Sequence, residues 1–447
     1  MTQKVTTRTI ELKELLQKKN IHIPEYQRPY TWTEKNVVQL LDDVIRFSKY
    51  PEYRIGTIIL HENGEKLDVV DGQQRIITSL LVAKSLAVTD IELTTLDIPK
   101  HEKTVENIKN NFKVIQDYLR RHPTAKEILE DYFLDHCTVV ILQLTQLDEA
   151  FQLFDSANNR GKALYPTDLL KAFHLRELTG SEEKKREMVD LWENIEAEHI
   201  YILFSDYFYR IKQWSKNRPV REIGFSNKDI DLFKGISESD MNKHQNWSKA
   251  HLMAKNFVDN FNSQNETMIA FNTMEELHYP FQIDQPMING EYFFKFVDYY
   301  YNLTKRLGFF EERKSANVPS TEIKNVITDL SKDNYFRYVN SLFKTAVLYV
   351  VDRFSDQEIE AIEKICFTYA YFPRFYLEQV LKKSINKFVI DSDAGIKNFF
   401  NHVAESFSIN DILHFYIQVE EENLKNAQRI KRKNEKVYQL YFQGGTT

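Results

Sequence analysis

Only 12 Gly and 11 Pro interrupt 447 residues, and this scarcity of breakers constrains the chain more than any other feature. Long uninterrupted helices are what such a sequence can extend. Its 31 Phe and 24 Tyr predict cores rich in rings. A length prior of roughly 150 residues per domain allows about three domains, and a chain of this size needs no disulfide or metal staple to bury a core. The two cysteines, Cys137 and Cys366, are too few for a four-thiolate zinc site or a disulfide framework. No apolar run approaches the roughly 20 residues of a membrane span, and the first residues lack the regions of a secretory signal. A soluble protein of the reducing cytoplasm is expected. The net charge of −6 argues against a protein that coats nucleic acid indiscriminately, while leaving room for local basic faces.

Strand signals are confined to the first 180 residues. Residues 54–60 and 66–70 are β-branched runs flanking His61-Glu62-Asn63-Gly64, and they read as a hairpin. After Asp71-Gly72 the pattern becomes helical, a helix pair follows over roughly 103–134, and residues 138–144 form one more buried strand. An α+β domain results. From Pro166 onward the chain reads as helices: Asp168 to Leu178, a helix opened by Ser181, one following Ser320, and one after Ser355 and Glu358, which have the capping-box spacing. Residues 216–228 and 235–249 are poorer in apolar side chains and predict exposed loops or a hinge. The expected division is 1–178 and 179–447, the second part subdividing near 235–249. Lys425, Arg429, Lys431, Arg432, Lys433 and Lys436 face one acid, Glu435, near the end of the chain. They read as a solvated helix face, with contact to DNA as the alternative.

Three segments could carry chemistry. In Val69-Val70-Asp71-Gly72-Gln73-Gln74-Arg75 a strand turns at glycine directly into a helix, whose free N–H groups and dipole attract phosphate. Arg75 could grip two phosphate oxygens, Gln73 and Gln74 bring amides that must be satisfied if buried, and Asp71 could hold magnesium or act as a base. An ordinary strand-turn-helix with Arg75 in a surface salt bridge is an equal alternative. The second segment, Ile23-Pro24-Glu25-Tyr26-Gln27-Arg28-Pro29-Tyr30-Thr31-Trp32, is stiffened by two prolines. Its rings could stack on a base or simply plug the core. The third runs from Phe151 to Lys171 and breaks at Asn158-Asn159-Arg160-Gly161. Arg160 and Lys171 could add phosphate contacts, or the segment could be a helical corner capped by Asp168.

In this order and setting the three segments resemble the amino-terminal domain of the GmrSD-type modification-dependent restriction proteins. The markers span roughly residues 20–175, and Pro280 to Phe294 also resembles the later half of some relatives. The resemblance implies a ParB/sulfiredoxin-like fold that binds a nucleoside triphosphate with Mg2+, followed by a mostly helical region. It implies Tyr26, Gln27, Arg28, Gly72, Gln73, Asn158, Arg160 and Gly161 as the nucleotide-binding set. Asp71, Gln74 and Arg75 carry catalysis in this reading, with Asp71 also the metal ligand. Ala157 and Asn159 depart from the family pattern and bear on local packing. NTP hydrolysis would then regulate or power DNA restriction in phage defence. No HNH nuclease frame is found, since neither His199 nor His278 has the required context. DNA cleavage is therefore expected from a separate HNH-type subunit, and a homo-oligomer remains open. A non-catalytic DNA-binding or partner-docking module is the alternative function.

Overall fold

The computed structural model describes residues 5–24, 27, 29–88, 96, 98, 102–145, 165–178, 181–237, 246–271, 273–310, 321–330, 333–391, 395–417 and 424–444. Two compact units divide the chain, Met1–Leu164 and Tyr165–Thr447.

The first unit is α+β, the class the sequence predicts. Its elements run β1 (Thr6–Glu11), α1 (Leu12–Gln17), β2 (Ile21–His22), α2 (Glu34–Phe47), β3 (Tyr53–Asn63), β4 (Lys66–Asp71), α3 (Gln73–Ser85), α4 (Glu102–Arg121), α5 (Pro123–Tyr132) and β5 (Cys137–Leu144). The five strands form one mixed sheet in the order β1-β5-β3-β4-β2. The expected hairpin is β3 and β4, antiparallel, with Gly64 in the left-handed region at its turn. Beside that turn the buried Asp68 accepts from Asn63 Nδ2 at 2.8 Å and lies 2.6 Å from His22 Nδ1. The central strand β3 also pairs in parallel with β5. Its consecutive Ile58, Ile59 and Leu60 are all buried, as a strand covered on both faces requires. The strands β1 and β2 escaped the sequence reading. Both lie at sheet edges, and β2 is two residues long, too short to show a period.

The second unit is helical in its regular elements. Its centre includes the helices Arg337–Phe354 and Ile359–Tyr376, whose buried faces carry Tyr349, Phe367, Tyr369 and Tyr371. The helix opened by Ser181 is present, with the Ser181 hydroxyl accepting from the Lys184 N–H. Ser355 corrects the reading of the last capping box. It has φ +71° and closes the preceding helix, so the next begins only at Ile359. The expected loop at 216–228 is irregular but anchored rather than exposed throughout: Val220 and Phe225 are buried, and Asn386 Oδ1 accepts from the Val220 N–H and Trp214 Nε1–H. Residues 235–236 are likewise pinned, with Ile236 bridged to Ile288 and a Cβ on Gly235 only 1.9 Å from the Met287 oxygen.

Two buried titratable groups tie distant segments of this unit together. His174 donates from Nε2 to the Phe233 carbonyl at 3.0 Å and accepts at Nδ1 from the Gly290 N–H at 3.2 Å. Burial holds this imidazole neutral, its pKa pushed down to about 3. Asp352 accepts from the Ile283 N–H at 3.0 Å and from the Tyr300 hydroxyl. Tyr349 donates to Asp284 at 2.8 Å and Lys212 to the Gln285 carbonyl at 2.7 Å. The segment from Pro280 onward, singled out by resemblance, is thus a strap bound to its neighbours through polar groups.

Desolvation pushes the Asp352 carboxyl up to about 7. An unfolded aspartate titrates near 4, so folding takes up a proton between these values. Stability from this group is present below about pH 4 and lost as the pH rises through about 7. Urea titrations of the parent and Asp352→Asn should show the parent losing stability relative to the variant over that interval, by on the order of a few kcal/mol.

Candidate functional site

β4 ends at Asp71, and Gly72 turns the chain into α3 with φ +102°. A Cβ there would lie 2.8 Å from Ile58 Cγ1, so both the backbone conformation and the space demand glycine. The first helical bond runs from the Ile76 N–H to the Gly72 carbonyl at 2.9 Å, and no side chain caps the helix. The N–H groups of its first turn therefore have no acceptor within the helix.

The side chains of this turn are used differently. Arg75 donates from Nη1 to the Thr57 carbonyl at 2.6 Å and pairs through Nη2 with Asp71 Oδ2 at 3.1 Å. Gly56 leaves the room for this, since a Cβ there would stand 2.5 Å from Arg75 Nη1. The surface-salt-bridge alternative is part of the geometry, but the pair is three-quarters buried and fixed to the sheet. Asp71 Oδ1 accepts no hydrogen bond among the described residues. Gln74 is committed to the backbone: Oε1 accepts from the N–H groups of Thr31 at 2.8 Å and Trp32 at 3.1 Å, and Nε2 donates to the Pro29 carbonyl at 3.2 Å. Gln73 is 5 % exposed, and its Oε1 has no hydrogen-bond partner among the described residues. A buried acceptor left in this state costs about 1–3 kcal/mol.

The first motif packs against the same turn. Gln27 Nε2 donates to the carbonyls of Val69 and Val70, both at 2.9 Å, immediately before Asp71. Tyr30 plugs the core, fully buried, with its hydroxyl 2.8 Å from Thr78 Oγ1 and accepting from Asn111 Nδ2 at 3.0 Å. Asn107 donates to the Tyr30 carbonyl, and Asn111 to that of Trp32, both at 2.7 Å. Thr104 accepts from the Tyr30 N–H at 3.1 Å. These three α4 residues went unnoticed in the sequence, although their spacing of three and four places them on one helical face.

Tyr26, Arg28, Asn158, Arg160 and Gly161 lie outside the described residues, as do Ala157 and Asn159. Further along, Asp168 accepts from the Tyr165 N–H at 3.1 Å and serves as a helix-start acid. Lys171 is buried and paired with Glu193 at 2.6 Å, which corrects its reading as an open phosphate contact. In the basic stretch, Arg429 and Lys433 lie over the Tyr335 ring at 5.6 and 4.7 Å, and Lys433 pairs with Asp333. Part of that run is therefore committed within the fold. His199 stacks on Phe310, and His278 is exposed. Among the described residues no three His, Cys, Asp or Glu side chains are grouped to hold a metal ion, and no helix is long and apolar enough to cross a membrane.

No curated protein matches the chain. Residues 184–432 match a family of unknown function, DUF7834. Residues 12–175 match the family described as GmrSD restriction endonuclease, N-terminal domain, an interval that contains the turn at Gly72 and the segment from Ile23 to Trp32. The chain belongs to DUF7834 and carries the amino-terminal domain of the GmrSD-type restriction proteins, a restriction-system family.

Proposed function

We propose that the amino-terminal unit binds a nucleoside triphosphate with Mg2+ and hydrolyses it in the service of DNA restriction in phage defence, with cleavage supplied by a separate HNH-type subunit. One observation carries this reading: uncommitted polar groups gather at the start of α3. Among the described residues they are the first-turn N–H groups, Asp71 Oδ1, Gln73 Oε1 and the remaining donors of Arg75. A guanidinium has five N–H donors, and the bonds to Thr57 and Asp71 occupy two.

In this proposal Arg75 and the helix N-terminus hold phosphate oxygens, and Gln73 accepts from a ribose hydroxyl or a water. Arg28 and Arg160 are the further cations assigned by family resemblance. Asp71 would hold the metal through Oδ1, a donor set suited to magnesium, which keeps most of its ligands as water and phosphate oxygen. The metal, when bound, neutralises charge on the transferring phosphoryl group. Gln74, its amide already engaged, acts as a positioning residue by fixing residues 29–32 against α3. Gln27 does the same for the strand end before Asp71.

The decisive measurement is phosphate release from the four NTPs, with and without DNA and magnesium, alongside calorimetric titration of nucleotide. Arg75→Ala should abolish binding, and binding unchanged by that substitution removes the proposal. Asp71→Ala should retain some binding while phosphate release stops. Gln74→Ala strands the N–H groups of Thr31 and Trp32 and should cost about 1–3 kcal/mol of stability in urea, a loss that a purely catalytic glutamine would not produce.

A further inference from the structure

The helix Asn246–Gln264 has two faces, and the fold uses one of them. Its inner side buries Ser248, Leu252 and Val258. Polar bonds hold that side in place: the buried Lys255 pairs with Asp259 at 2.6 Å, and Asn262 exchanges hydrogen bonds with the backbone of Leu277, donating at 2.8 Å and accepting at 2.9 Å. On the opposite side Met253 is 68 % exposed and Phe257 65 %. The short helix Glu266–Ala270 adds Met268 at 52 %, and Phe271 follows at 75 %.

These four side chains belong to one stripe. The helical ladder runs through Asn265, whose N–H donates to the Phe261 carbonyl at 3.1 Å and whose carbonyl accepts from the Ile269 N–H at 2.9 Å. Bonds of this i to i−4 type carry the helical step from one helix into the next, and at 3.6 residues per turn Ala250, Phe261 and Gln264 fall into line with the four, all within about 80° of one another. No charged residue stands on the stripe. Beside it are the exposed Asn256, Asn260 and Thr267, with Lys249 near one end.

We infer that this stripe is the interface between two copies of the chain, packed antiparallel about a two-fold axis near Asn260 and Phe261. The chemistry selects that partner over others. A DNA backbone calls for a row of cations, and a helix lying in a membrane surface carries Lys and Arg on its polar face; the stripe and its flank offer Lys249 alone. Apolar side chains mixed with amides, each of which both donates and accepts, complement their own copy without like-charge repulsion. The spacing is self-complementary as well. From Ala250 to Phe271 the stripe steps by 3 and 4 at its beginning and by 4 and 3 at its end, so it reads alike in both directions. In an isologous pair residue i meets j while j meets i, and here the small Ala250 meets Phe271, Met253 meets Met268, and Phe257 meets Gln264.

The area is of the right order. Aromatic side chains bury roughly 150–250 Å2 each, so at these exposures the four large residues offer about 500 Å2 per copy. That matches the largest apolar patch on an ordinary monomer, a patch that is often functional. Two copies bring together about 1,000 Å2 before the rim is counted, the threshold for a specific but weak interface. The stripe lies wholly within the second unit and does not depend on the nucleotide reading of the first.

The test is sedimentation velocity of the full chain over a dilution series, which should show a dimer that dissociates as it is diluted. Phe257→Glu places a charge in the apolar seam of each copy and should raise the dissociation constant by more than about tenfold. Its melting curve should stay that of the parent monomer, because the position is exposed. Phe407→Glu, at the 96 % exposed ring elsewhere on the unit, should change nothing. Register is read by cross-linking. Under mild oxidation the double variant Met253→Cys, Met268→Cys should give a disulfide-linked dimer, with Cys137 and Cys366 buried and silent. Met253→Cys alone should not, since antiparallel pairing holds the two copies of that position roughly 20 Å apart. A chain that stays monomeric at high micromolar concentration overturns the proposal, as does a dimer indifferent to Phe257→Glu or one that the double variant fails to cross-link. A monomer that floats with vesicles of phosphatidylcholine and phosphatidylglycerol, and loses them on Phe257→Glu, assigns the face to a membrane surface and overturns it too.

Discussion

The left-handed turn at Gly72 is the constraint on which the first unit depends. It delivers β4 into α3 against Ile58 on the central strand, in a space where no side chain fits. The consequence is that Asp71 and Arg75, one helical turn apart, both face the end of the sheet and pair there. Arg75 then reaches the Thr57 carbonyl past Gly56. Gly56 thus makes room for the arginine that the turn at Gly72 delivers.

A second layer of order comes from amides rather than rings. Gln27, Gln74, Asn107 and Asn111 spend their side chains on the backbone of the segment from Pro29 to Trp32 and of β4. These bonds are buried or partly buried, where breaking one leaves an unsatisfied group, so they specify one loop conformation more sharply than apolar contact would. Gln73 stands apart from them. Its neighbour Gln74 has every hydrogen bond its oxygen can accept, whereas the Gln73 oxygen has none among the described residues. Ser79 Oγ, on the same helix, is likewise buried without a partner among the described residues.

Much of this was legible in the sequence. The Asn-Gly turn and the flanking β-branched runs disclosed the hairpin, and the change of period after Gly72 disclosed α3. The helices of the second unit followed from apolar spacing and from the hydroxyl at Ser181. What stayed hidden depended on tertiary neighbours. Nothing local says that Gln74 binds residues 31 and 32, that Lys171 will be buried against Glu193, or that Ser355 closes one helix rather than opening the next.

His174 shows what such convergence means during synthesis. Its two hydrogen bonds reach residues 59 and 116 positions further along the chain. Closing loops of that length forfeits entropy before any contact repays it. Until Gly290 has left the ribosome, the imidazole lacks the N–H that fixes its tautomer and remains an ordinary base near neutrality. The helix Pro166–Glu177 can therefore coil early, yet it settles into its final environment only when well over a hundred later residues have been translated.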